Sequence, residues 1–112
     1  MRTPFTVATR FAAFAVAAAV TPAAAIDTIN CARDRNPAER TICASHHLQI
    51  LDAKVTEAYA DIIRDTRISG PIRTALRDSQ FAFLARRDAC GRNTDCLAEV
   101  MQLRAIRIND YR

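Results

Sequence analysis

Four cysteines, Cys31, Cys43, Cys90 and Cys96, fall in two local pairs within a chain that holds only two glycines, Gly70 and Gly91. Paired cysteines at short spacing limit the fold to something small and stapled. Scarce glycine and long runs of good helix formers make those staples join helices rather than loops.

The first 25 residues differ in character from the rest. Arg2 and Arg10 are basic with no acidic neighbour, Phe11 to Val20 is an uninterrupted apolar run, and Pro22 precedes Ala23-Ala24-Ala25. That is the layout of a secretory signal with an A-x-A cleavage site, which makes Ile26 the expected mature N-terminus. The run is shorter than the about 20 apolar residues that cross a bilayer, so no membrane span is expected after cleavage. Cys31 is an unsuitable lipid acceptor, because it lies well past the apolar run and follows Thr28-Ile29-Asn30. The expected location is the periplasm or the medium, where disulfides persist. Arginine far outnumbers lysine and alanine is abundant, the usage of a GC-rich bacterial genome.

Residues 26–112 are enough for one domain. The signal takes two of the 16 basic residues and none of the 12 acidic ones, leaving 14 against 12 and a net charge of +2. The two signs are interspersed as on a solvated helical surface, so nothing calls for a nucleic-acid partner.

A short first helix is announced by Asn36-Pro37-Ala38-Glu39: a capping residue, a proline suited to the first helical position, and an acid where a capping box needs one. It should end near Cys43 or Ala44. Ser45 is the next cap, and Leu48, Leu51, Val55, Tyr59, Ile62 and Ile63 recur at three- and four-residue spacing along one helix face. Gly70-Pro71 is expected to end that helix. A third helix then places Ile72, Leu76, Phe83 and Leu84 on its apolar face, with Gln80 and Arg87 near the same stripe and Gly91 as its C′ residue. Thr94 is expected to cap a fourth, carrying Leu97, Val100, Met101, Arg104 and Ile108. The expected fold class is all-α: a disulfide-stapled bundle of three main helices plus a short N-terminal helix.

Five residues separate Cys90 from Cys96, enough to staple helix three to helix four across a tight corner, and eleven separate Cys31 from Cys43. Four cysteines allow three connectivities, and sequence does not exclude the crossed ones; the spacing favours the two local bridges. Each would add about 2–3 kcal/mol by restricting the unfolded chain. A metal site is the competing use of these residues, helped by His46 and His47. Its spacing is poor: there is no C-x2-C pair, adjacent histidines diverge from a helix, and C-x-x-C-H for haem is missing. No cofactor is expected, and both histidines belong in an exposed first turn.

The order of residues is specific. Cys31-Ala32 is followed by Asn-Pro-Ala-Glu-Arg-Thr-Ile-Cys at 36–43, then Leu48, Leu51-Asp52 and Tyr59; later come Gln-Phe-Ala-Phe-Leu-Ala-Arg-Arg-Asp-Ala-Cys-Gly at 80–91, Cys96-Leu97 and Arg104. Across nearly all of residues 26–112 this resembles the LprI-type lysozyme-inhibitor family of small exported bacterial domains. Phe83 stands where the family pattern usually has tryptophan, and Met101 where tyrosine is common. Both keep an apolar core residue.

The polar residues matching that pattern are Glu39, Asp52, Tyr59, Gln80, Arg87 and Arg104. Their structural use is to brace the helices: Glu39 or Asp52 pairing with Arg87 or Arg104, with Gln80 and Tyr59 closing hydrogen bonds. The alternative, a surface entering a glycosidase cleft, fits less well with positions beside apolar stripes. Catalysis is not expected. Glycoside hydrolysis needs two carboxylates facing a cleft, and this small, loop-poor domain has nothing to build one. The resemblance implies a binding protein that inhibits lysozyme by occluding its substrate cleft. An envelope structural or assembly module is the other use of such a scaffold. Lysozymes of this kind are basic, so target contacts are expected at an acidic strip, Glu57, Asp61 and Asp65 at four-residue spacing on helix two, or at Asp95 in the corner after Gly91.

Overall fold

The computed structural model describes Pro4, residues 29–33 and residues 35–112. Apart from Pro4, the signal segment expected at residues 1–25 lies outside the described residues. Helices α1 (Pro37–Cys43), α2 (His46–Ile63), α3 (Gly70–Ala89) and α4 (Thr94–Arg107) follow in order, and a 3-10 turn (Ile108–Tyr111) comes last. Among the described residues there is no strand. The chain folds as the expected all-α bundle.

Each start is set by a local side chain. Asn36 accepts a hydrogen bond from the Glu39 N–H at 2.8 Å, and Glu39 accepts from the Asn36 N–H at 3.4 Å, completing the capping box ahead of α1. Ser45 caps α2 by accepting from the Leu48 N–H at 3.2 Å. These two starts lie where the sequence puts them.

Two boundaries differ from expectation. Gly70-Pro71 begins α3 instead of ending α2: Ser69 is the cap, accepting from the Ile72 N–H, and Pro71 sits in the first turn, where a missing N–H leaves no hydrogen bond unmade. Helix α2 has already stopped at Ile63, because Asp65 captures the Arg67 N–H at 2.9 Å in a local turn that competes with helix. Likewise α4 is capped by Asn93, which accepts from the Cys96 N–H at 3.0 Å, and Thr94 is its first helical residue. Asparagine is the stronger cap of the two.

The core runs along α2 in two clusters. One gathers Ala38, Ile42, Leu48, Leu51, Val55, Phe83, Leu97 and Met101; the other gathers Tyr59, Ile62, Ile63, Leu76 and Ile108. Fully burying such side chains is worth about 1.5–3 kcal/mol each, the main favourable contribution to folding. Ile72, expected in this core, is 41% exposed. The first turn of α3 instead presents Arg73, which donates to the carbonyls of Ile63 and Asp65 and so closes the open end of α2.

The cysteines form the two local bridges, Cys31–Cys43 and Cys90–Cys96. The first ties the segment before α1 to the end of that helix. The second spans the corner between α3 and α4, where Gly91 adopts φ +56°, a left-handed conformation that glycine takes without strain.

Candidate functional site

Two buried arginines organise the polar interior, and their surroundings differ. Arg87, 6% exposed near the end of α3, faces three carboxylates: Asp52 of α2 (Nη1 to Oδ1, 3.5 Å), Glu39 of α1 (Nη2 to Oε2, 3.7 Å) and its neighbour Asp88 (Nη2 to Oδ1, 2.9 Å). Glu39 therefore serves both the α1 cap and the ion pair, and it is approached by Arg35 at 3.8 Å as well. Asp52 also accepts from the Ile29 N–H at 3.5 Å, which docks the segment before Cys31. Burial raises the Asp52 carboxyl above the usual carboxylate range, against the pull of Arg87 and the Ile29 N–H.

Arg104, 7% exposed on α4, has no such partners. Its guanidinium donates from Nε and Nη2 to the Gln80 side-chain oxygen at 3.2 and 3.0 Å, and from Nη2 to the Ser79 hydroxyl at 2.9 Å. It lies 5.7 Å from the centre of the Phe83 ring and 6.0 Å from that of Tyr111, within cation–π range of both. Burial pushes its pKa below the ordinary arginine value; Tyr111 opposes the shift and Arg86 adds to it. Among the described residues no carboxylate forms an ion pair with it.

The bracing role anticipated for the motif residues thus divides. Glu39, Asp52 and Arg87 form one network linking α1, α2 and α3; Gln80 and Arg104 form a second between α3 and α4. Tyr59 belongs to neither, being a core side chain of the second apolar cluster, and burial raises its pKa while the charges of Arg77 and Arg104 pull the other way. Sequence reasoning missed Arg35, Ser79, Asp88 and Arg73. Only Arg35, four residues before Glu39, carried a local signal, the ordinary i, i+4 pair.

The acidic strip is shorter than expected. Glu57 and Asp61 are exposed on α2, but Asp65 lies beyond its end and is engaged by Arg67 through Nε at 3.0 Å and Nη2 at 2.9 Å, which holds its pKa at about 2. Asp95 is exposed in the first turn of α4, next to the stapled corner. His46 and His47 are exposed at the start of α2, and among the described residues no group of side chains is placed to hold a metal ion. No helix of the described residues is long and apolar enough to cross a membrane.

A small bundle stapled at two corners, with most of its interior polar groups joining one helix to another, defines a compact helical module. The family model for the lysozyme inhibitor LprI matches residues 30–108, and the chain belongs to that family. It is a family of inhibitor domains, not of enzymes. No curated protein and no solved structure matches the chain.

Proposed function

We propose that this protein is exported to the periplasm or the medium and that its helical domain inhibits lysozyme by binding over the substrate cleft. Membership of the LprI family is the observation that carries this reading. Two disulfides fit an oxidising compartment, and residues 1–25 have the pattern of a cleaved signal. A domain braced by two staples and two polar networks loses little freedom on binding, so contact energy is not offset by ordering. Because most of the motif residues are buried, contacts with a protein target fall to exposed acids: Glu57 and Asp61 on α2, and Asp95 at the corner. Asp65, already paired with Arg67, contributes less.

The test is a titration of the oxidised protein into chicken-type lysozyme while following lysis of a peptidoglycan suspension, with a reduced and alkylated sample alongside. Stoichiometric inhibition by the oxidised form alone is expected. Absence of inhibition at micromolar excess would remove the lysozyme reading and leave an envelope interaction module.

A further inference from the structure

We propose that the groove between α3 and the end of α4, lined by Arg86, Arg104 and Arg107 together with the Ser79 hydroxyl and Tyr111, is a binding site for a ligand oxyanion, a phosphate or a carboxylate.

The two buried arginines carry the argument. A buried charge is normally paired, because removing it from water is expensive unless an opposite charge or a full set of hydrogen bonds replaces the lost hydration. Arg87 meets this requirement three times over. Arg104, equally buried, is held by the oxygens of Gln80 and Ser79, the Tyr111 side chain and the Phe83 ring, none of them a carboxylate. Among the described residues it has no counterion.

The surroundings of Arg104 point outward for that counterion. It lines an open cavity of about 380 Å³ with Ser79, Ala82, Arg86, Arg107, Asp110 and Tyr111. A second depression of about 310 Å³ shares Arg86, Arg104 and Arg107 and adds the apolar side chains of Val100 and Leu103. Three arginines therefore line these adjoining depressions, and among the described residues none of them is ion-paired. Arg86 acts on Arg104 as a like charge, and such repulsion is relieved when an anion sits between them. Guanidinium forks match the paired oxygens of phosphate and carboxylate. Asp110, exposed at the rim, is the one acid of the lining and opposes such a ligand. The apolar wall would accept the uncharged part of a larger molecule carrying the anion.

This site does not rest on the lysozyme reading, since inhibition and anion binding are measured separately. The experiment follows the arginine side-chain Nε–Hε resonances of the oxidised protein by NMR. Inorganic phosphate and, in parallel, acetate are added at ionic strength held constant with chloride. A saturable shift at Arg104 is expected. Saturation by phosphate alone assigns a tetrahedral oxyanion, and saturation by acetate assigns a carboxylate. Arg86→Gln and Arg107→Gln alter exposed side chains and leave the fold intact; each is expected to weaken binding by about tenfold, the loss of one charge-assisted contact. Asp110→Asn is expected to tighten it. Shifts that stay linear with both anions, or an affinity unchanged in the Arg86→Gln/Arg107→Gln double variant, would overturn the proposal.

Discussion

Arg87 reaches Asp52 across the interface between α3 and α2, Nη1 to Oδ1 at 3.5 Å, and both side chains are removed from water. The pair closes the bundle where Glu39 of α1 also meets Arg87, so a single guanidinium links three helices. A pair of this kind fixes geometry more than it adds net stability, yet breaking it from one side is expensive.

Arg87→Met leaves Asp52 and Glu39 facing an apolar side chain and is expected to destabilise the fold by about 3–5 kcal/mol. Arg104→Met, at a site of equal burial, strands only Gln80 and Ser79 and should lose about 1–2 kcal/mol. Urea denaturation of the two variants checks the difference. Equal losses would show that Arg87 is not the more strongly coupled residue.

Asp52 and Asp65 should tilt the pH dependence of stability in opposite directions. Burial raises the Asp52 pKa, so its protonated form is favoured by folding: its contribution is complete below the unfolded pKa and declines as pH rises through the folded one. Arg67 holds Asp65 at about 2, so its contribution is present above the unfolded pKa and lost as pH falls toward that value. Denaturation midpoints measured from about pH 2 to about pH 7 should show a shallower acid-side fall in Asp65→Asn, and in Asp52→Asn a smaller decline on raising pH.

The staples close loops of different length, with sequence separations of 12 for Cys31–Cys43 and 6 for Cys90–Cys96. Chain entropy then predicts losses of about 3 and about 2 kcal/mol when each is replaced by two alanines. Thermal melts of the two double variants give the order. The Cys31/Cys43 variant should in addition release the Ile29 N–H from Asp52, seen as faster hydrogen exchange at Ile29.

The glycines should respond in opposite senses. Gly91 has φ +56° and open space where a side-chain methyl would sit, so Gly91→Ala meets no neighbour yet is strained by the backbone, and should lose about 1 kcal/mol. Gly70 lies in the first turn of α3 with nothing within 4 Å of an added Cβ, and Gly70→Ala should be neutral or stabilising by up to about 1 kcal/mol. Urea midpoints decide both.

Much of the fold was legible because it is local. Asn36 and Ser45 cap the helices that follow them, the run from Leu48 to Ile63 buries one stripe, and Gly91 ends α3. Each depends on residues within a turn or so of one another. The misreadings also came from local signals, where two were in competition. Gly70-Pro71 can stop one helix or start the next, and the choice went to Ser69 as a cap once Asp65 had ended α2. Asn93 and Thr94 were both eligible, and asparagine prevailed. Ile72 carried the right spacing for the core but lies half-exposed in the first turn of α3, where its neighbour Arg73 reaches the carbonyls closing α2.

By itself the sequence determined the helices, their number, most of their caps and the short reach of the cysteine pairs, since hydrophobic period, capping and loop length act along the chain. Tertiary structure decided which charges meet. Arg87 and Arg104 look alike in sequence, each an arginine on an apolar stripe. Only the crossing of the helices brings Asp52 and Glu39 to one and leaves the other beside two further arginines on an open groove. Ion pairing depends on a few ångströms between side chains that lie far apart in the chain, and local pattern carries no information about that distance.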